Sequence, residues 1–242
     1  MRYPITIKPF GAHSILVEWP NNVADTILED ILQFNTFLET KLEGQWEFVP
    51  SYNSLALIQD SVISDFKILN NQLLEFYREL DYTKRTERHL WKLPVCYDLE
   101  FGLDLEEVSK KLNMSISDLI SNHSSNEYTV YGIGFLPGFM YLGGLPQSLE
   151  IARKETPRLK VAKGAVGLAG KQTGIYPQES PGGWNIIGSC PIPIFNVNSE
   201  KPCFVSVGDK IKFEAISRAE YELHKIEGEV GIYQPNKTIL DA

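Results

Sequence analysis

The chain has 242 residues, of which 43% are hydrophobic and 22% charged, and a formal net charge of −8. This composition indicates a globular protein with a substantial core, and the acidic balance argues against a general nucleic-acid binder. The three cysteines are far apart in the sequence, which argues against a disulfide framework or a zinc site. Because no apolar run approaches ~18 residues and no signal-peptide pattern opens the chain, we expect a cytoplasmic protein without a membrane span.

Residues 1–93 alternate between strand and helix patterns. Apolar residues recur every three or four positions over residues 23–42 and again over residues 66–80, which predicts two amphipathic helices. Short β-like runs flank each of these helices. We therefore predict an N-terminal α+β domain over residues 1–93, of the split β-α-β type.

Residues 94–124 are predicted to form a helical connection. Asp104 is a candidate N-cap for a helix that begins at Leu105, and Ser115 and Asp118 have the spacing of a capping box. Two short helices in succession also suggest a helix-turn-helix, although the acidic surroundings favour simple connecting structure.

The composition changes from about residue 125, because 12 of the 18 glycines lie between Gly132 and Gly188. Short β-like runs alternate with these glycines, among them residues 128–135, 165–170, 185–190, 192–197 and 203–213. Short strands separated by glycine turns are typical of a β-barrel or sandwich, which we predict for residues 125–242. Ser217 and Glu220 have the spacing to cap one last short helix.

The stretch "GIGFLPGFMYLGGLP", residues 132–146, combines glycines with aromatic side chains. Such a loop can form an apolar cleft in which the backbone approaches a ligand or a partner protein. The cleft candidates are Phe135, Pro137, Phe139 and Tyr141. The simpler alternative is a tight corner of a β-barrel whose aromatic rings belong to the core.

Residues 150–171 hold a local excess of four positive charges inside an acidic protein. A basic patch of this kind suits a carboxylate or a phosphate, which arginine can hold through two parallel hydrogen bonds. The alternative is a solvated basic edge strand that prevents aggregation. The six bases are Arg153, Lys154, Arg158, Lys160, Lys163 and Lys171.

The stretch "GIYPQESPGGWNIIG", residues 174–188, predicts a rigid loop that turns sharply at Pro181-Gly182-Gly183 and fixes Trp184. It is neither a P-loop nor a nucleophile elbow. With neutral hydrogen-bonding groups such as Gln172 and Tyr176 nearby, the loop could form one wall of a pocket for a small polar molecule.

Histidine offers a weaker signal. His123 ends a predicted helix, where we expect an imidazolium that interacts with the last carbonyl groups, with general acid–base catalysis as the alternative. The histidines show no metal-type spacing, and we predict no metal site.

Three strings in the C-terminal half, "GFLPGFMYLGGLP", "PRLKVAKGAVGLAGKQTGIYPQESPGGWNIIG" and "GDKIKF", resemble the B subunit of bacterial 5-oxoprolinase. This family is also called allophanate hydrolase subunit 1 or the carboxyltransferase B subunit, and it includes the sporulation-kinase inhibitor KipI. The resemblance extends through nearly the whole chain. It implies an α+β N-terminal domain followed by a cyclophilin-like all-β barrel domain.

The resemblance also implies a role in an ATP-dependent 5-oxoprolinase, which opens the lactam 5-oxoproline to L-glutamate and in which this chain works together with a C subunit and an A subunit. ATP, with magnesium, would be bound by this chain or by one of its partners. Two alternatives stay open: a KipI-like inhibitor that binds a sensor histidine kinase, and a carboxyltransferase-type subunit related to urea carboxylase and allophanate metabolism.

Lactam opening through a phosphorylated carbonyl oxygen needs cations near the anionic groups and fixed donors near the ring. The candidates for binding the substrate or an anion are Arg153, Arg158, Lys163, Lys171, Gln172, Tyr176, Gly182, Gly183 and Trp184. The candidates for a partner cleft are Phe135, Pro137, Phe139, Tyr141 and His123. Ala165 and Ser189 stand where the family pattern has a serine and an arginine, which leaves a different substrate open.

Overall fold

The computed structural model describes residues 2–81 and 87–240. The chain divides into two units, one that runs up to Glu87 and one that spans Arg88–Leu240. The sequence placed this boundary at residue 93 and treated residues 94–124 as a connection. In the structure both the strand before residue 96 and the helices that follow it belong to the second unit.

The first unit is a four-stranded antiparallel sheet with two helices, in the strand order β1-β2-β4-β3. Strand β4 lies antiparallel between β2 and β3, so β2 and β3 are parallel to each other and, with α1 between them, form a split β-α-β arrangement. The periodicity predicted both helices to within two residues at their ends. The elements are β1 (Thr6–Pro9), β2 (Ser14–Glu18), α1 (Asp25–Lys41), β3 (Trp46–Ser51), β4 (Ser54–Gln59) and α2 (Phe66–Glu79).

The second unit is built on an eight-stranded mixed sheet in the order β12-β9-β10-β7-β6-β13-β5-β14, with a separate two-stranded sheet of β8 and β11. Its strands are β5 (Arg88–Val95), β6 (Glu127–Ile133), β7 (Met140–Gly143), β8 (Arg158–Val161), β9 (Ala165–Ala169), β10 (Gln172–Ile175), β11 (Ser180–Gly182), β12 (Asn185–Ser189), β13 (Lys210–Ala215) and β14 (Asn236–Leu240). Its helices are α3 (Leu105–Leu112), α4 (Ile116–Ser125) and α5 (Arg218–Glu229).

The prediction of a closed all-β barrel is wrong in two respects. The eight-stranded ladder has edge strands, β12 and β14. Among the described residues, a single antiparallel bridge, between Cys96 and Ser189, joins the end of β5 to β12. The unit also contains helices, of which α3 packs on β12 and α4 on β13. Mixed α/β architecture with a large sheet is therefore the correct description.

Helix ends in the second unit follow the predicted capping with one exception. Ser115 accepts a hydrogen bond from the backbone N–H of Asp118, and Ser217 and Glu220 form a complete capping box. The side chain of Asp104 makes no capping hydrogen bond at the start of α3, because its carboxylate is used elsewhere, as described below.

One predicted strand, residues 192–197, is absent from the described residues, and the predicted run 203–213 is a strand only from Lys210, where β13 begins. Residues 192–197 and 203–209 form loops joined by a single bridge between Phe195 and Cys203. Each described helix is too short or too polar to cross a bilayer.

Candidate anion site beside an aromatic cluster

The small β8/β11 sheet brings the basic stretch and the Pro-Gly-Gly turn together. Arg158 lies opposite Gly182 in the ladder, and Val161 lies opposite Ser180. Before β8, the backbone N–H of Lys154 donates a 2.8 Å hydrogen bond to the carbonyl of Gly183. The two sequence stretches that were expected to share a pocket wall are therefore direct neighbours.

An aromatic cluster fills the space behind this sheet. The ring of Phe139 is its centre, with centroid distances of 5.7 Å to Phe135, 5.0 Å to Tyr141, 5.3 Å to Tyr176 and 5.4 Å to Trp184. All four contacts are edge-to-face, the geometry that the ring quadrupoles favour. The glycine–aromatic stretch and the 174–188 loop are thus parts of one site.

This cluster corrects the prediction of an open docking cleft at Phe139. Phe139 is only 1% exposed and belongs to the core, whereas Phe135 is 65% exposed. Pro137 is also exposed. Phe135 adopts a positive φ of 68°, a conformation that is rare for an aromatic residue.

Gly182 is required by the close approach of Tyr176. A Cβ atom at this glycine would lie 2.3 Å from the Tyr176 hydroxyl oxygen, so only glycine lets β11 cross the buried phenol. Burial raises the pKa of Tyr176, which keeps the phenol neutral. The glycine thus serves packing, and the tyrosine fixes the turn before Trp184.

The carboxylate of Asp104 is the electrostatic centre of the site. It is 2% exposed and accepts hydrogen bonds from both terminal nitrogens of Arg158, at 2.9 and 2.6 Å. It also accepts from Lys154 Nζ at 2.7 Å and from the backbone N–H of Ile186 at 2.7 Å. Burial alone would raise the pKa of Asp104, but the hydrogen bonds from Arg158, Lys154 and Ile186 outweigh it and hold the pKa below its usual value.

Three of the six bases are therefore paired with acidic side chains. Lys154 also pairs with Glu107 at 2.9 Å, and Lys160 pairs with Glu179 at 3.2 Å. Because both terminal nitrogens of Arg158 donate to Asp104, this guanidinium is not available to bind a ligand. The predicted excess of positive charge is real in sequence but is not presented as one open patch.

Arg153 is different. Its guanidinium carbon lies 6.0 Å from the ring centroid of Trp184, and among the described residues no carboxylate lies within 4.0 Å of it. A guanidinium over an aromatic ring still presents N–H donors in its own plane. Arg153 is therefore the cation of this site that is suited to hold an incoming carboxylate.

A cavity of about 740 Å³ adjoins this arginine, a volume within the range of small-molecule sites. Its wall carries groups of both signs, among them Arg153, Lys154, Lys111, Glu107 and Glu150. A smaller cavity of about 90 Å³ lies beside Arg158 and is lined in part by Ala165 and Ser189. The two positions that depart from the family pattern thus face the same small space.

Three other candidates do not line the cavity beside Arg153. Lys163 precedes β9 and Lys171 follows it, so they are separated by a five-residue strand and cannot hold one small anion together. Gln172 lies opposite Ala169 at the start of β10. Lys163 instead lines a separate cleft next to α5.

His123 lies in the last turn of α4, as predicted, but the prediction of a charged imidazolium that interacts with the helix carbonyls is wrong. Its side chain is fully buried and its ring nitrogens lie 2.7 Å from the Tyr97 hydroxyl and 2.9 Å from Thr173 Oγ1. Burial lowers the pKa of His123 to about 3. The ring stacks on Phe213 at 4.6 Å, so this histidine is a neutral core residue rather than part of a cleft.

Sequence reasoning missed the role of Asp104, which it interpreted only as a helix cap. A signal was present, because a basic excess in an acidic chain needs countercharges, and Asp104 and Glu107 lie in an acidic run. Their pairing with residues about fifty positions later has no local signature.

Comparison with known proteins defines the class first. Residues 5–205 match the family model described as "Carboxyltransferase domain, subdomain C and D". Within this class, the chain belongs to the 5-oxoprolinase B-subunit family. It is 32% identical over 232 residues to the 5-oxoprolinase B subunit of Bacillus subtilis (strain 168), which covers 91% of this chain and 97% of that protein. It is 42% identical over 167 residues to the 5-oxoprolinase B subunit of Haemophilus influenzae, which covers 69% and 78%.

Among solved structures, the urea amidolyase of K. lactis is similar in fold. The TM-score is 0.80 at 18% sequence identity, over 98% of this chain and 16% of that one. At this identity the likeness concerns the fold alone, and it agrees with the mixed α/β architecture described above.

Proposed function

We propose that this chain is the B subunit of an ATP-dependent 5-oxoprolinase that opens 5-oxoproline to L-glutamate, and that it acts with a C subunit and an A subunit. The observation that carries the proposal is the match along 97% of the B. subtilis relative at 32% identity. A relative named as a subunit supports a multi-subunit enzyme, and the identity of the partners is part of our proposal.

The substrate of this reaction has two features that a site must recognise, a carboxylate and a lactam amide. Arg153 supplies charged, planar donors for the carboxylate at the edge of the cavity of about 740 Å³. The guanidinium carbon lies 6.0 Å from the centroid of the Trp184 ring, a cation–π contact that favours this position of the side chain. Because binding energy spent on the carboxylate orients the lactam for reaction, Arg153 would act mainly through positioning.

Asp104 contributes indirectly. By holding Lys154 and Arg158, it fixes the segment that carries Arg153, and it also ties that segment to Ile186 in β12. Asp104 is thus a positioning residue that keeps the wall of the cavity in one conformation.

ATP supplies the phosphoryl group that would activate the lactam carbonyl. In the part of the chain that the structure describes, no group of three or more His, Cys, Asp or Glu side chains is arranged to hold a metal ion. We derive no phosphoryl-transfer step on this chain. In our proposal, this chain holds the lactam within the assembled enzyme.

Reconstitution tests this function. The chain is mixed with the A and C subunits from the same source, and ATP hydrolysis is measured with and without 5-oxoproline and a small panel of lactams. We expect hydrolysis that depends on 5-oxoproline and a loss of about tenfold or more in kcat/KM in Arg153→Ala, since a charged hydrogen bond is removed. Lys160→Ala, which removes an exposed cation paired with Glu179, is the matched control and should keep full activity.

Two outcomes would contradict the proposal separately. If the complete wild-type set hydrolyses no ATP in response to 5-oxoproline, the function is wrong. If Arg153→Ala turns over at the wild-type rate, the function stands but the site is wrong. For the inhibitor alternative, two of the cleft candidates, Phe139 and His123, are buried, whereas Phe135 and Pro137 are exposed.

A further inference from the structure

A second cleft, of about 620 Å³, lies between α5 and the segment 190–196. Residues 221, 225, 228 and 229 of α5 line it, and this spacing places them on one face of the helix. The cleft lies apart from the Arg153 site, because neither Arg153 nor Trp184 contributes to its wall.

The cleft is preformed because α5 is fixed at both of its ends. The buried Tyr221 hydroxyl lies 3.1 Å from Ser189 Oγ. Two turns later Gly228 packs directly on Pro193, and a Cβ atom there would lie 2.8 Å from Pro193 Cδ. A helix held in this way cannot move towards or away from the 190–196 segment without losing one of these contacts.

Three charged side chains line this cleft. Lys163 comes from the segment before β9, and Lys225 and Glu229 come from successive turns of α5. Among the described residues, none of the three lies within 4.0 Å of an opposite charge. Lys225 and Glu229 have i,i+4 spacing, but with the lysine first, which is the less favourable order for a helical ion pair.

The three cleft charges are exposed and lack an ion-pair partner within the described part of the chain, whereas several charges outside the cleft are paired. Nearby on α5, Arg218 is paired with both Glu100 and Glu222, and Lys154 and Arg158 are paired with Asp104. Two cations and one anion around a preformed cavity therefore form an electrostatic pattern that a ligand can complete.

We propose that this cleft binds an amino dicarboxylic acid. The two carboxylates would pair with Lys163 and Lys225, and the ammonium group would pair with Glu229. A phosphate or a simple dicarboxylate satisfies the lysines but leaves Glu229 facing an anion, and a monocarboxylate leaves one lysine unpaired. The cleft's net charge of +1 from these three groups matches the net charge of about −1 of such a ligand at neutral pH.

L-Glutamate belongs to this class. Its binding would place a product sensor on this chain, and this identification as a product rests on the proposed function. Because the cleft and the Arg153 site have different walls, bound L-glutamate would not compete for the position of 5-oxoproline.

Calorimetric titration of the chain alone tests the binding. We expect L-glutamate to bind and to bind about fivefold or more tightly than glutarate, which lacks the ammonium group, and 5-oxoproline, which lacks both the ammonium group and one carboxylate. Lys225→Gln should weaken L-glutamate binding about tenfold. Glu229→Gln should remove the preference for L-glutamate over glutarate.

Lys110→Gln is the matched control for the lysine variant, because Lys110 is exposed on α3 and lies outside the cleft. Absence of L-glutamate binding, equal binding of glutarate, or unchanged affinity in Lys225→Gln would each overturn the inference. The titration needs no catalysis, so its outcome is separate from reconstitution. A chain that binds L-glutamate although the assembled enzyme ignores 5-oxoproline would keep the cleft and refute the function.

Discussion

Replacing Asp104 by asparagine removes the buried charge on which two cations converge. The variant keeps the shape of the side chain but leaves Arg158 and Lys154, whose side chains are only 27% and 18% exposed, without their shared partner. Arg158 loses a bidentate pair, while Lys154 keeps Glu107. The variant therefore isolates the contribution of one carboxylate.

The expected loss follows from this geometry. Breaking a fully buried ion pair by removing one partner costs about 3 to 5 kcal/mol. Since both cations retain some contact with water, we expect the lower end, about 3 kcal/mol in the free energy of unfolding. Urea denaturation at pH 7, followed by tryptophan fluorescence and far-UV circular dichroism, measures it.

Urea denaturation repeated at several pH values shows in which direction the stabilisation by Asp104 changes with pH. A carboxylate whose folded pKa is depressed stabilises the fold above its unfolded pKa of about 3.9, and this contribution is lost as the pH falls through the folded value. Asp104→Asn should therefore differ from wild type at pH 7 and converge with it at strongly acid pH. Glu107→Gln, at an exposed position of the same network, should unfold like wild type. An Asp104→Asn variant with the wild-type urea midpoint at pH 7 would show that the Asp104 carboxylate does not stabilise the fold.

Two further predictions concern the core around the site. His123, with a pKa of about 3 when folded and about 6.5 when unfolded, takes up a proton on unfolding. The free energy of unfolding of the wild type should thus fall by about 2 to 3 kcal/mol between pH 7 and pH 4.5. In urea titrations, the free energy of unfolding of His123→Gln should depend less on pH. If wild type and variant showed the same pH dependence, the histidine would not be buried and neutral. Gly182→Ala should lower the free energy of unfolding by about 1 to 3 kcal/mol through overpacking against Tyr176. Adding Tyr176→Phe should recover part of this loss. A double variant that loses more than the sum of the two single losses would argue against this contact.

The helices of the first unit were predictable because their signal is local. The apolar stripe over residues 23–42 packs on one side of the sheet, and α1 spans Asp25–Lys41. Periodicity needs no knowledge of distant residues, so it succeeds wherever a helix has one buried face.

The structure divides the chain at Arg88, a few residues before the predicted boundary at residue 93, because β5 pairs with a distant strand. Leu90 lies opposite Lys210 in the parallel ladder between β5 and β13. The residue pattern around Leu90 does not predict a partner strand so far along the chain. The closed all-β barrel failed for the same reason, since strand-like runs do not show which strands are edges.

The candidate site was partly predictable. Glycine and aromatic composition indicated where the backbone and the rings approach closely. The glycine–aromatic stretch, residues 132–146, does contact the 174–188 loop at Trp184. The sequence did not show that Arg158 is paired whereas Arg153 is not. This difference depends on the orientation of Asp104, a residue whose sequence context is that of an ordinary helix cap.

A structure of the assembled enzyme with 5-oxoproline would show whether Arg153 holds the substrate. We expect the substrate carboxylate to lie about 3 Å from the guanidinium nitrogens of Arg153, with the guanidinium still over Trp184. A lactam bound with its carboxylate away from Arg153, or held by another protein of the complex, would contradict this expectation.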